Sequence, residues 1–151
     1  MKRRFLIIGC LFLFFFNCTK EYINPLPSYP VYIEVDLIFR DKELKSSASS
    51  KIFTGKNTIQ GKERIGYAGV LVTNAIFGGY KAFDIACPNE VRRDAVIEID
   101  NDNNAVCKVC GSKYEIVLNY GSGGCINGVS KYPLRQYRTS MKDNNTLIVR
   151  N

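Results

Sequence analysis

The stretch VCKVCGSKYEI, residues 106 to 116, carries Cys107 and Cys110 in C-x-x-C spacing, followed by Gly111, Ser112 and Tyr114. Two thiols three positions apart on a turn can share a metal ion or bond to a third sulfur, and thiolate is the preferred ligand of zinc and of iron–sulfur centres. Four more cysteines stand outside this stretch: Cys87 in ACPNE, Cys125 in GGCINGV, and Cys10 and Cys18 near the N-terminus. Histidine is absent from the whole chain. That excludes Ser-His and Cys-His nucleophile pairs, histidine-held haem and HExxH zinc sites. No catalytic constellation is identifiable, so whether the chain is an enzyme stays open, and an electron carrier or binding module is the expectation.

Thiols this far apart in sequence meet only if the intervening elements bring them together. VYIEVDLIF alternates, with Val31, Ile33, Val35, Leu37 and Phe39 on one face and Glu34 and Asp36 on the other, as a half-buried strand does. DKELKSSASSK, residues 41 to 51, is a polar loop with room for a short helical turn, and residues 55 to 66 are rich in turn formers. From Tyr67 onward, short strand-like segments (GVLVTN, GGYKAFDIAC, AVIEI, AVCKV, KYEIVL, RQYRTS, TLIV) are separated by Gly and Asn clusters, with a turn at KDNN. No long helical period interrupts them, which predicts an all-β, antiparallel sandwich or barrel with hairpin tips carrying the cysteines. DNDNN, residues 100 to 104, lacks the glycine and glutamate of a calcium loop and reads as a turn.

The arrangement Cys87-Pro88-Asn89, with nineteen residues between Cys87 and Cys107, then Cys107-x-x-Cys110-Gly111-Ser112-x-Tyr114, and then GVSKYPL at 128 to 134 resembles the Rieske iron–sulfur domain. That family carries C-P-H, a gap of similar length, C-P-x-H-G-S-x-F/Y and a later covering loop. The similarity spans about residues 67 to 150, with residues 31 to 40 as a candidate first strand. It implies a Rieske-like β domain over 31 to 151 and an electron-transfer role. Cys87 and Cys107 stand at the cysteine ligands, Cys110 where the second histidine would be, and Asn89 where the first would be. Both histidines are therefore replaced, and an ordinary two-histidine centre is impossible. The resemblance implies instead an atypical 2Fe-2S cluster on Cys87, Cys107, Cys110 and Cys125, with the Ser112 and Tyr114 hydroxyls tuning it. All-thiolate ligation would place its potential nearer roughly −400 mV than the Rieske range of about −150 to +300 mV. Zinc on the same thiols, or disulfides among them in a non-redox binding or structural protein, are the alternatives.

The N-terminus reads as an address. Lys2, Arg3 and Arg4 precede an apolar run from Phe5 to Phe16, shorter than the roughly 20 residues of a spanning helix, and Asn17 and Cys18 follow. This resembles a bacterial lipoprotein signal over 1 to 18 with Cys18 lipidated; Cys10 after LIIG and an ordinary secretory cut near residue 18 are the alternatives. Residues 19 to 30, with three of the five prolines, read as a tether. The expected location is the cell envelope, on the periplasmic or outer-membrane side, with the membrane as partner through the lipid anchor. Export also permits disulfides. Beyond the signal segment the net charge is +4, without a basic run or aromatic ladder, so no nucleic-acid partner is expected. Arg92, Arg93, Lys108, Lys113, Lys131 and Arg135 fall on or near the predicted tips, as a candidate basic face for an acidic redox protein.

Overall fold

The computed structural model describes residues 23–55 and 64–151, all of it β structure and connecting turns apart from one 3-10 turn at Lys42–Lys45. The proposed signal, Cys10, Cys18 and the first part of the tether lie outside the described residues. Eleven antiparallel strands form two sheets. In sequence they are β1 (Val31–Asp36), β2 (Ser50–Phe53), β3 (Arg64–Ile65), β4 (Val70–Ala75), β5 (Gly79–Asp84), β6 (Ile97–Ile99), β7 (Ala105–Cys107), β8 (Lys113–Tyr114), β9 (Cys125–Asn127), β10 (Gln136–Met141) and β11 (Thr146–Arg150).

The larger sheet has the order β2-β4-β5-β10-β11-β1-β3 and curls into a nearly closed barrel. Its inner face buries Val31, Ile33, Val35, Val70, Val72, Leu147 and Val149 in one core, which Phe53 and Ile65 from the two edge strands also join. The smaller sheet, β6-β7-β8-β9, packs on the outside of β4 and β5. A second core fills that interface, with Leu71 and Phe83 from the barrel meeting Ile97, Ala105, Tyr114 and Ile116. Because β4 is covered on both faces, its burial is unbroken from Val70 to Thr73, where that of β1 alternates.

Three departures from sequence expectation have local causes. The first strand stops at Asp36, because its Oδ1 accepts the amides of Ile38 and Phe39 and turns the chain, which leaves Phe39 78% exposed. KYEIVL is a strand only over Lys113–Tyr114. There the Glu115 carboxylate accepts the Ser122 amide and hydroxyl and folds the following loop back. In the tether region, Leu26 is buried and the Asn24 side chain donates to the Pro133 carbonyl, so residues from Asn24 onward lie against the domain. Strands β2 and β9 are too short and mixed in polarity to show a period of two. Their pairing with β4 and β8 defines them.

Candidate metal centre

Two tips and one covering loop build the site. The first tip leaves β5 through Asp84, a fully buried carboxylate that accepts the Ala86 amide at 2.8 Å, the Tyr67 amide at 2.7 Å, the Ala68 amide at 3.3 Å and the Tyr137 hydroxyl at 2.6 Å. Ala86 then bridges to Val96, and the Cys87 amide donates to the Ala95 carbonyl at 2.8 Å. The Cys87 carbonyl closes the tip by accepting the amides of Glu90 and Val91.

The second tip is the β7–β8 turn. The Cys107 amide donates to the Ser112 carbonyl, and the Gly111 amide to the Cys107 carbonyl. Gly111 has φ +70°, a left-handed conformation that side-chain-bearing residues adopt rarely. The reversal lets Cys107 and Cys110 project toward the same side.

The structure brings Cys87, Cys107 and Cys110 together, with their three sulfurs within 4.8 Å of one another. Cys87 and Cys107 are buried and Cys110 is half-buried. The Sγ atoms of Cys87 and Cys110 are 3.7 Å apart, close to the roughly 3.8 Å that separates two thiolates bound at about 2.3 Å to one tetrahedral ion. The three thiols can therefore hold a metal ion.

The hydroxyls singled out in the sequence both reach the sulfurs. Tyr114 Oη lies 3.4 Å from Cys87 Sγ, and Ser112 Oγ lies 3.3 Å from Cys110 Sγ. Ser112 is fully buried and accepts the amides of Val129 at 3.2 Å and Ser130 at 3.1 Å, which pins the covering loop over the turn. With its lone pairs so engaged, the Ser112 hydroxyl proton remains to be donated to a Cys110 thiolate. The loop sits close enough that a Cβ on Gly128 would fall 2.5 Å from Ser112 Cα. Ser112→Ala leaves the buried Ser130 amide and the part-buried Val129 amide without an acceptor, and urea unfolding should show a loss of about 1–3 kcal/mol.

Cys125 is placed differently. Its thiol donates to the Asn127 carbonyl at 3.3 Å and borders a separate pocket beside Ser130, Lys131 and Tyr132. Asn89 is exposed and donates to Glu90. Three of the six tip cations form ion pairs within the chain: Lys108 with Glu98, Lys113 with Asp100 and Arg92 with Asp94. Arg93 stacks over Tyr29 and Tyr67, and Arg135 donates to the carbonyls of Leu26 and Asn24. Sequence inspection missed three exposed valines on the tips and the covering loop, Val91, Val109 and Val129, each at least 37% exposed. These single valines on turns carry no periodic signal.

Burial pushes the Cys107 thiol up to about 12. At Cys110 burial also opposes ionisation, but hydrogen bonds from Ser112 and from the Cys107 and Cys87 thiols outweigh it, and the thiol sits below its ordinary value. Burial, then the contact with Cys87, raises Tyr114. In the metal-free chain the Cys107 proton leaves the unfolded state near pH 9 and the folded state near pH 12, so the unfolded state binds fewer protons across that window. Stability is fully present below pH 9 and declines as pH rises toward 12. Melting temperatures should follow that decline, and Cys107→Ser should make it shallower.

No protein-family model matches the chain, and no curated protein matches it. Fold and site together define an all-β protein with a buried cluster of three thiols.

Proposed function

We propose that this chain is a Rieske-like electron-transfer module of the cell envelope, anchored through Cys18, with an iron centre held by Cys87, Cys107 and Cys110. The observation that carries this reading is the pairing of two ligand sulfurs with hydroxyls at the positions the resemblance names, Tyr114 on Cys87 and Ser112 on Cys110. Hydrogen bonds to ligand sulfur help set the reduction potential of an iron–sulfur centre. The thiols fill three of four ligand positions, and Cys125 is the one other thiol among the described residues that can complete a 2Fe-2S cluster. A centre bound there would supply one-electron transfer. The chain's own residues keep water from two of the sulfurs, fix the donors and leave Cys110 half-buried, with Val91, Val109 and Val129 exposed on the tips and the covering loop. A redox protein would dock on those valines, since three of the six tip cations, Arg92, Lys108 and Lys113, are already paired with acids.

The 3.7 Å approach of Cys87 to Cys110 favours a second reading, in which these two thiols form a disulfide that staples the tips in a non-redox binding protein. Anaerobic purification of the full chain, with iron, zinc, acid-labile sulfide, visible absorption and thiol titration measured on one sample, separates the two. Iron with sulfide and colour supports the electron-transfer reading. Colourless protein with Cys87 linked to Cys110 supports the staple. Stoichiometric zinc with no colour makes the centre structural.

A further inference from the structure

One cross-strand row on the outer face of the barrel is basic. Arg64 of β3 lies opposite Tyr32 of β1, Tyr32 opposite Arg150 of β11, and Arg150 opposite Arg138 of β10. The β5–β10 register, carried one step past Tyr137 and Ala82, sets Arg138 beside Lys81. These side chains face outward because the alternate positions Val31, Ile33, Tyr137, Val149 and Ala82 fill the barrel core. At about 4.8 Å per strand, the row is roughly 19 Å long.

Like charges directly opposite one another destabilise a sheet. Yet among the described residues no side chain pairs with those of Lys81, Arg138 or Arg150. The three line an open groove of about 470 Å³ together with Gln136, Thr139 and Ser140, and every charged residue in its wall is positive. Glu34, on the next row, is already held by the Tyr32 hydroxyl at 2.6 Å and by Lys142 at 3.2 Å. An arrangement that is unfavourable by itself and furnished with neutral hydrogen-bonding groups is suited to an anion.

The shape of the charge narrows the ligand. Arg64, Arg150, Arg138 and Lys81 form one row, flanked on one side by Gln136 and on the other by Ser140, Ile148 and Glu34, where Lys142 and Arg40 are held by the Glu34 carboxylate and carbonyl. A membrane surface is met by a dispersed patch; a stripe fits a chain. The row crosses the face of a sheet whose backbone is already paired along it, so a peptide cannot add to it as a strand. Its single aromatic residue, Tyr32, makes no ladder for stacking bases. We propose that the row binds a linear acidic polysaccharide, with sulfate or carboxylate groups seated on Lys81, Arg138 and Arg150.

The full chain in non-ionic detergent, titrated by calorimetry with a sulfated heparin hexasaccharide and with a galacturonate hexamer, tests this. The expected result is saturable binding to at least one, weakened about tenfold or more by Arg138→Glu and changed less than about twofold by Lys42→Glu, which alters the charge equally at an exposed site off the row. The double variant Arg138→Gln with Arg150→Gln removes the cations without adding anions and should weaken binding in the same direction, with melting temperature reporting the fold. Absence of saturable binding overturns the proposal, as does an equal loss in Lys42→Glu. Tighter, Arg138-dependent binding of oligothymidylate or of phosphatidylglycerol vesicles overturns it as well.

Discussion

Replacing Cys87 with serine should lower metal affinity by about a hundredfold or more, while Cys125→Ser should lower it by less than about tenfold. The first figure follows from dividing the roughly 10–16 kcal/mol of a structural zinc-thiolate site among its ligands, which gives about 3 kcal/mol for each. The role of Cys87 goes beyond its own sulfur–metal bond. Its sulfur comes from a different tip than Cys107 and Cys110, lies 3.7 Å from Cys110, and is held by the Tyr114 hydroxyl. Without it, one flexible turn must bind the ion alone. Cys125 is outside the triad with its thiol on the Asn127 carbonyl, and a solvent ligand can take its position. Competition with a chromogenic chelator gives both affinities on protein refolded with iron or zinc. Equal losses from the two substitutions would show that β9 delivers Cys125 into the centre and would restore the four-thiolate arrangement expected from sequence. Loss in neither would remove the metal reading and leave the staple.

The largest stability effect is expected at a residue with no role in ligation. Asp84→Ala should destabilise the chain by about 3–5 kcal/mol, a fall in melting temperature of roughly 10–20 °C. Asp84 is fully buried, and its two oxygens satisfy three amides, of Tyr67, Ala68 and Ala86, and the Tyr137 hydroxyl. Truncation leaves all four donors in a dry interior, and each unmet donor carries a desolvation penalty. Tyr137→Phe removes only one of these bonds and should lose about 1 kcal/mol. The same carboxylate fixes the Ala86 amide one residue before Cys87, so Asp84→Ala should also loosen the first tip and weaken metal binding. Urea unfolding monitored by tyrosine fluorescence measures the first effect, and the chelator competition the second. A loss below about 1 kcal/mol would mean that the donors find other acceptors and that the tip does not depend on this carboxylate.

The two sites differed in how far local sequence exposed them. The Cys107-x-x-Cys110-Gly111-Ser112-x-Tyr114 run is a local feature, because a turn needs its glycine and its cysteines within a few residues, and such a feature can be read directly. The alternation at Val31, Ile33 and Val35 was equally visible, because burial on one face of a strand writes a period of two into the chain. The Asp84 carboxylate gave no such sign. One aspartate at the end of an apolar run is as compatible with a turn as with a buried hub, and its donors come from positions 17 and 53 residues away. The basic row was invisible for the same reason: Arg64, Lys81, Arg138 and Arg150 are scattered in sequence, and only strand register aligns them. At the tips, Glu98 and Asp100 likewise approach Lys108 and Lys113 once the strands pair, and Asp94 meets Arg92 locally, so three of the six cations there have acidic partners.

Sequence alone determined what chemistry this protein has to work with. The absence of histidine removed the common catalytic and haem designs, the four cysteines that follow Cys18 set thiolate as the available ligand, and short alternating segments between turn formers required an all-β fold. Tertiary structure decided which thiols meet: Cys87, Cys107 and Cys110, with Cys125 apart from them. The physical reason is that ligand type is a property of single residues and strand period a property of neighbours, whereas a distance between sulfurs twenty residues apart depends on how two sheets pack. That packing is fixed by Leu71, Phe83, Tyr114 and Ile116 in the core between the sheets, residues that share no sequence pattern with the site they hold in place.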